Sequence, residues 1–148
     1  MNAKVILVPT DFSPSSEAAL RYAALLARDL EATLLIIHVH PVPELPGAYG
    51  DEFDPEEEKE RHLLESVHPR EAHVPFGHLF VVGYPPDLIL RVAREKHANI
   101  IVMGAHGQTN SPTNVVGSVA SAVLRQATCP VLAIHLPVDA HLAKAEGV

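Results

Sequence analysis

The chain has 148 residues and a mass of 16.0 kDa, enough for one domain with an ordinary core and little room for a second. An apolar content of 47% excludes disorder across the whole chain, and the lone cysteine, Cys129, excludes an internal disulfide or a multi-cysteine metal site and fits a reducing compartment. The net charge is −7 with no basic stripe, which excludes the counterion-release drive of nucleic-acid binding and polybasic docking to an anionic membrane.

No apolar stretch approaches the ~20 residues a membrane helix needs, and the five-residue apolar run before Asp11 is too short for a secretory signal, so a cytoplasmic protein is expected. Val5 to Val8 (VILV) reads as a strand buried on both faces. Ser13 offers an N-cap hydroxyl, Pro14 suits a first helical turn, and Glu17 favours the positive end of the helix dipole. Ala19, Tyr22, Ala23, Leu26 and Leu30 then recur at helical spacing as an inner face, opposite Glu17, Arg21, Arg28 and Glu31. Thr33 to Val39 (TLLIIHV) is a second buried strand. His38 and His40, two apart, share one strand face, as metal ligands would, or are a buried polar residue and a strand-end residue.

Pro41, Pro43, Pro46, Gly47 and Gly50 oppose regular structure from His40 to about Asp54. A loop of that length in a compact domain is usually functional. The stretch Asp51 to Glu60 (DEFDPEEEKE) carries seven acids and one lysine, −6 of the net −7. It reads as a solvated loop leading into a helix, or as a patch for a partner or a cation. A helix is expected over Pro55 to Val67, a strand over His78 to Val82, and a helix from Pro86 and Asp87 through His97. Asn99 to Met103 (NIIVM) forms a fourth strand, Val116 to Gln126 a fourth helix and Val131 to Ile134 a fifth strand, before a frayed tail from Pro137.

Strict alternation of strands and helices implies a parallel α/β sheet, doubly wound with right-handed crossovers, in strand order 3-2-1-4-5. The winding then reverses between the first and fourth strands, where open α/β sheets bind ligands beyond their carboxyl ends. Two connections meet there: Pro9-Thr10-Asp11-Phe12 and Gly104 to Val115.

The second connection, MGAHGQTNSPTNVVGSVAS, places Gly104 and Gly107 three apart and Gly117 ten further on, immediately before Ser118. Glycine admits close backbone approach, and a Gly-Ser-Val helix start presents unpaired N–H groups to an anion, with hydroxyls from Ser118 and Ser121. The same glycines would equally end a strand and begin a helix. From His97 through Leu124 there is no Asp, Glu, Lys or Arg, so a phosphate would meet amides, hydroxyls and the dipole, with His106 the one titratable group. Hydrogen bonds to charged groups contribute ~1.5–3 kcal/mol each, so a few support roughly micromolar affinity and distinguish ATP, ADP and AMP poorly. No P-loop signature occurs, Ser118 has no evident base partner, and cations for phosphoryl transfer are missing, so enzyme signals are weak. Ten histidines without carboxylate or cysteine spacing make no zinc motif, and Cys129 before Pro130 reads as a packed residue.

The spacing Gly104-x2-Gly107-x9-Gly117-Ser118 resembles the nucleotide-binding signature of the universal stress protein family, in its ATP-binding branch. KVILVPTDFSPSSEAAL, VVGYPPDLILRVAREKHANIIVMGAHG and SVASAVLRQATCPVLAI carry the same resemblance, which covers Ala3 to Leu136. The filling QTNSPTNVV departs from the more aliphatic, often basic family pattern. The resemblance implies a Rossmann-like, adenine-nucleotide alpha hydrolase-like fold and a homodimer through the last strand. It places Pro9, Thr10 and Asp11 beside adenosine and the Val39 backbone at adenine. It puts Met103, Gly104 and Gly107 at ribose and phosphates, and Gly117, Ser118 and Val119 around the phosphates. Asp11 has two readings: a local cap for the nearby helix, or a partner for ribose hydroxyls or for a Mg²⁺ ion bridged to phosphate. The implied function is a stress-response module that binds an adenine nucleotide. A nucleotide-free dimeric interaction protein with a vestigial cleft is the alternative.

Overall fold

In a computed structural model, which describes residues 3–42, 54–106 and 116–136, the chain forms β1 (Val5–Pro9), α1 (Pro14–Leu30), β2 (Thr33–Pro41), α2 (Pro55–Glu65), β3 (Phe76–Gly83), α3 (Pro85–Glu95), β4 (Ile100–Gly104), α4 (Ser118–Gln126) and β5 (Val131–Ile134). The five strands form one parallel sheet in the order β3-β2-β1-β4-β5, the doubly wound order that the alternation of elements implies. No helix among the described residues is long and apolar enough to cross a membrane.

Strand alternation divides the core between the two faces. Ile6, Val8, Leu34 and Ile36 pack under α1 and α2, whereas Leu7, Ile37, Val39, Ile101 and Met103 pack under α3 and α4. Burying each large aliphatic side chain stabilises by about 1.5–3 kcal/mol before entropy is counted. α1 starts as its sequence dictates: Ser13 accepts the Ser16 N–H, with Pro14 in the first turn and Glu17 following. Its inner face differs from the expected stripe. Ala18, Ala19, Leu20, Ala23, Ala24 and Ala27 are buried and Leu26 packs partly against the core as expected, while Tyr22 and Leu30 are exposed. The many alanines let the helix axis approach the sheet, which leaves Tyr22 and Leu30 at its flanks.

β2 also runs further than the proline count suggests, taking in His40 and Pro41. The Thr10 N–H donates to the Ile37 carbonyl at 2.8 Å, so odd-numbered residues of β2 turn their backbone groups toward β1. β1 ends at Pro9, opposite Ile37. The N–H that Pro41 lacks would therefore have pointed where no strand lies. Of the acidic stretch and the loop before it, residues 43–53 lie outside the described residues, as do 107–115 and the tail from 137.

Candidate functional site

β1 and β4 are in register at Ile6↔Ile100 and Leu7↔Ile101, and β4 then continues beside β5 to Gly104↔Ile134. The sheet is thus open on the β1 side beyond its carboxyl ends, and a cavity of about 350 Å³ occupies that point. This volume lies within the ordinary range of small-molecule sites. Pro9, Thr10 and Asp11 form one wall, Val39 the floor, and Met103, Gly104 and His106 the opposite wall. Gly117, Ser118 and Val119 close the end where α4 begins. Ten of the eleven residues expected at the site therefore meet in one cavity, and Gly107 lies outside the described residues.

The β1–α1 wall is held rigidly. Phe12 adopts φ 67°, and its N–H donates to Thr10 Oγ1 at 3.1 Å. Asp11 Oδ1 accepts the Ser13 N–H at 3.0 Å and the Ser16 hydroxyl, a local bracing of the turn. Gly104 serves the packing of this corner: a Cβ there would collide with Ser15 of α1. The Ser15 hydroxyl donates to the Ile134 carbonyl at 3.3 Å.

The α4 end of the cavity differs in two respects from the cradle drawn from sequence. The Gly117 N–H already donates to the Ala105 carbonyl at 2.6 Å, so this amide is used within the protein. Among the described residues no side chain caps α4, and the first helical amides beyond Gly117, those of Ser118 and Val119, have no acceptor within the helix. Ser121 donates to the Val116 carbonyl at 3.5 Å rather than lining the cavity. At the mouth, His106 Nε2 lies 2.7 Å from His135 Nδ1. His135 stands just after β5 and escaped the sequence reading, because its only signal was its place after a strand adjoining β4.

Glu60 of α2 and His38 also line the cavity. His38 Nδ1 lies 2.7 Å from the Thr10 carbonyl, which accepts only, so the proton sits on that nitrogen. Glu60 Oε2 lies 2.8 Å from His38 Nε2 and 2.6 Å from His40 Nδ1. His40, next to last in β2, is as expected near the strand end, and it is buried there beneath α2. The acidic stretch is likewise not merely solvated: Asp54 caps α2 by accepting the Glu56 N–H, and Glu60 is largely buried beneath the helix. Burial would lower the His40 pKa, but the hydrogen bond and charge of Glu60, then of Asp54, hold it above its usual value. The Glu56 N–H, with further help from His40, holds Asp54 below the usual carboxylate range against desolvation. Cys129 is half-buried against the α3–α4 face, away from the cavity, and burial raises its thiol pKa.

Fold and cavity together define a doubly wound α/β protein with a cavity at its switch point. The model of the universal stress protein family matches residues 2–135, and the chain belongs to that family. Universal stress protein MJ0577 of Methanocaldococcus jannaschii is 29% identical, over 88% of this chain and 94% of its own. Universal stress protein A homolog 1 of Coxiella burnetii is 32% identical, over 92% and 99%. The solved structure of MJ0577 superposes with a TM-score of 0.67 at 27% identity, covering 93% of this chain and 99% of that one. The universal stress protein from Archaeoglobus fulgidus in complex with dAMP superposes with a TM-score of 0.64 at 26% identity, covering 90% and 98%.

Proposed function

We propose that this chain is a regulatory stress-response module that binds an adenine nucleotide (ATP, ADP or AMP) in the cavity at the carboxyl ends of β1 and β4. The observation that carries this reading is the start of α4, which no side chain among the described residues caps and whose first residues line a cavity of about 350 Å³. Anions favour such a helix start through its unpaired N–H groups and its dipole. Val39 supports placement of adenine: its backbone N–H and carbonyl face the side where β1 has ended, offering a donor and an acceptor to the base edge. Pro9 and Thr10 would border the adenosine, Met103 and Gly104 the ribose, and Ser118, Val119 and His106 the phosphates. The dAMP complex of the Archaeoglobus fulgidus relative supports a ligand of this class.

No Lys or Arg lines the cavity among the described residues, so amides, hydroxyls and imidazoles would meet the phosphate charge. This favours binding over turnover, because phosphoryl transfer relies on cations at the moving group. A Mg²⁺ ion bridged to phosphate would sit beside Asp11, whose Oδ1 also braces the turn. A second copy of the chain would pair along β5, the edge strand of the sheet.

The test is to denature the purified protein, identify released nucleotide by chromatography and mass spectrometry, and measure melting with added ATP. Released adenine nucleotide or an ATP-dependent rise in Tm, lost in Gly117→Val, is expected. Neither signal, with or without Mg²⁺, refutes the proposal and favours an interaction protein with a vestigial cleft.

A further inference from the structure

On the α2 side of the sheet, β2 and α2 bring a histidine and two carboxylates together outside the nucleotide cleft. His40 is buried, with a side chain 7% exposed, and its Nε2 lies 3.0 Å from Asp54 Oδ2. Asp54 Oδ1 is occupied by the Glu56 N–H at 2.9 Å, which fixes the carboxylate with Oδ2 turned toward the imidazole. Glu57, in the first turn of α2, adds a third donor, and one ligand atom from each of the three residues lies within 4.8 Å of the others. We propose that His40, Asp54 and Glu57 form a binding site for a divalent transition-metal ion of the Zn²⁺ class.

The donor set selects the ion. One imidazole and two carboxylates suit a borderline cation such as Zn²⁺ or Co²⁺, whereas Mg²⁺ and Ca²⁺ prefer all-oxygen shells. The surroundings are those of a metal-binding histidine. Glu60 Oε2, outside the three donors, lies 2.6 Å from His40 Nδ1. A carboxylate there holds the proton on Nδ1 and leaves Nε2 to ligate, the usual outer arrangement for a histidine ligand. Arg61, lying over the Phe80 ring at 4.2 Å, donates to Glu57 Oε1 at 2.9 Å. Asp54, 35% exposed, gives the ion a path from solvent, and three protein donors leave a position for water. Zn²⁺ bonds of about 2 Å require the donors to draw somewhat closer, by rotation of the Glu57 side chain about its own torsions. On binding, the ion takes the place of any proton on His40 Nε2, which leaves to solvent.

The test uses the full chain stripped with a chelator and kept free of nucleotide, so that no ion can enter bridged to phosphate. Zn²⁺ is added by calorimetry, and Co²⁺ is followed by visible absorption. One ion per chain, a Zn²⁺-dependent rise in Tm, and a Co²⁺ band of tetrahedral or five-coordinate intensity are expected. Asp54→Asn preserves the helix cap, since Asn caps as well as Asp, and Glu57→Gln preserves shape. Each is expected to weaken Zn²⁺ binding tenfold or more by calorimetry and to lose the Zn²⁺-dependent rise in Tm, read against that variant's own metal-free Tm. A wild-type chain that binds no Zn²⁺ overturns the assignment. So does binding that both variants retain at full strength, which would move it to surface groups such as His62 with Glu58 and Glu65.

Discussion

Gly104→Ala separates the packing role of a motif glycine from its place beside a ligand. A Cβ at this position would stand 2.8 Å from the Ser15 carbonyl carbon and 2.9 Å from the Ser15 Cβ, and closer still to its hydroxyl. A side-chain oxygen can rotate away, but the carbonyl carbon belongs to the first turn of α1, so the helix itself has to move off the sheet. Overpacking of this kind costs about 1–3 kcal/mol, and for a chain of this length that lowers Tm by roughly 3–10 °C. The hydrogen bonds that Ser15 makes to Ile134 and His106, at 3.3 and 3.4 Å, are long and contribute little to the difference. Thermal and denaturant unfolding of Gly104→Ala, Ser15→Gly and the double variant form a cycle that isolates the contact. Ser15→Gly removes the hydroxyl and Cβ but not the backbone, so it should restore part of the loss and leave a remainder. A Tm within about 1 °C of wild type for Gly104→Ala, or strict additivity in the cycle, would refute the close approach as the cause.

Ser13→Ala removes the acceptor for the Ser16 N–H at the start of α1. Caps of this kind are worth about 0.5–2 kcal/mol, so a Tm decrease of a few degrees is expected, and an unchanged Tm would mean that the Asp11 turn alone holds the helix start. His135→Ala removes the imidazole partner of His106 at the cavity mouth. Where such a group contacts phosphate, its loss weakens ATP roughly 10- to 100-fold by calorimetry while leaving adenosine unaffected, and equal losses for both ligands would place the histidines away from the phosphates. Burial raises the Cys129 pKa, so the thiolate is scarcer than in the unfolded chain at the same pH. Thiol reagents at mildly alkaline pH should label the folded protein more slowly than the denatured one, and equal rates would refute a packed Cys129.

Much of this architecture was legible because strand and helix periods differ and punctuation residues mark the boundaries. VILV and TLLIIHV have no polar face, as two-sided burial demands, and Ser13-Pro14 marks the start of α1 in the chain itself. Pairing lay beyond that reading. Whether Pro41 ends a strand depends on which neighbour its missing N–H would face, and that follows only from where β1 stops. Glu60 sits in a run of acids that periodicity assigns to solvent, and its burial depends on two histidines twenty or more residues earlier on a different element. The amide of Gly117 was open to the same error, because its acceptor, Ala105, belongs to the strand end across the loop.

Two of these features, the place of Pro41 and the burial of Glu60, share a single cause, the extension of β2 beyond β1. A strand that outruns its neighbour exposes a row of backbone groups, here those of Val39, which face the cleft. On one side the ladder to β3, carried as far as Pro41↔Gly83, restrains this extension. On the sheet face below α2, Glu60 holds both histidines, and His38 in turn holds the carbonyl of Thr10 at the end of β1. Side chains of even-numbered residues therefore anchor the extension while backbone groups of odd-numbered residues stay open to a ligand, a division of labour that follows from the two-residue period of a strand. The acidic α2 thus braces the wall of the cleft with groups other than the backbone groups left open there, and a cation held by His40, Asp54 and Glu57 would tighten that brace from behind.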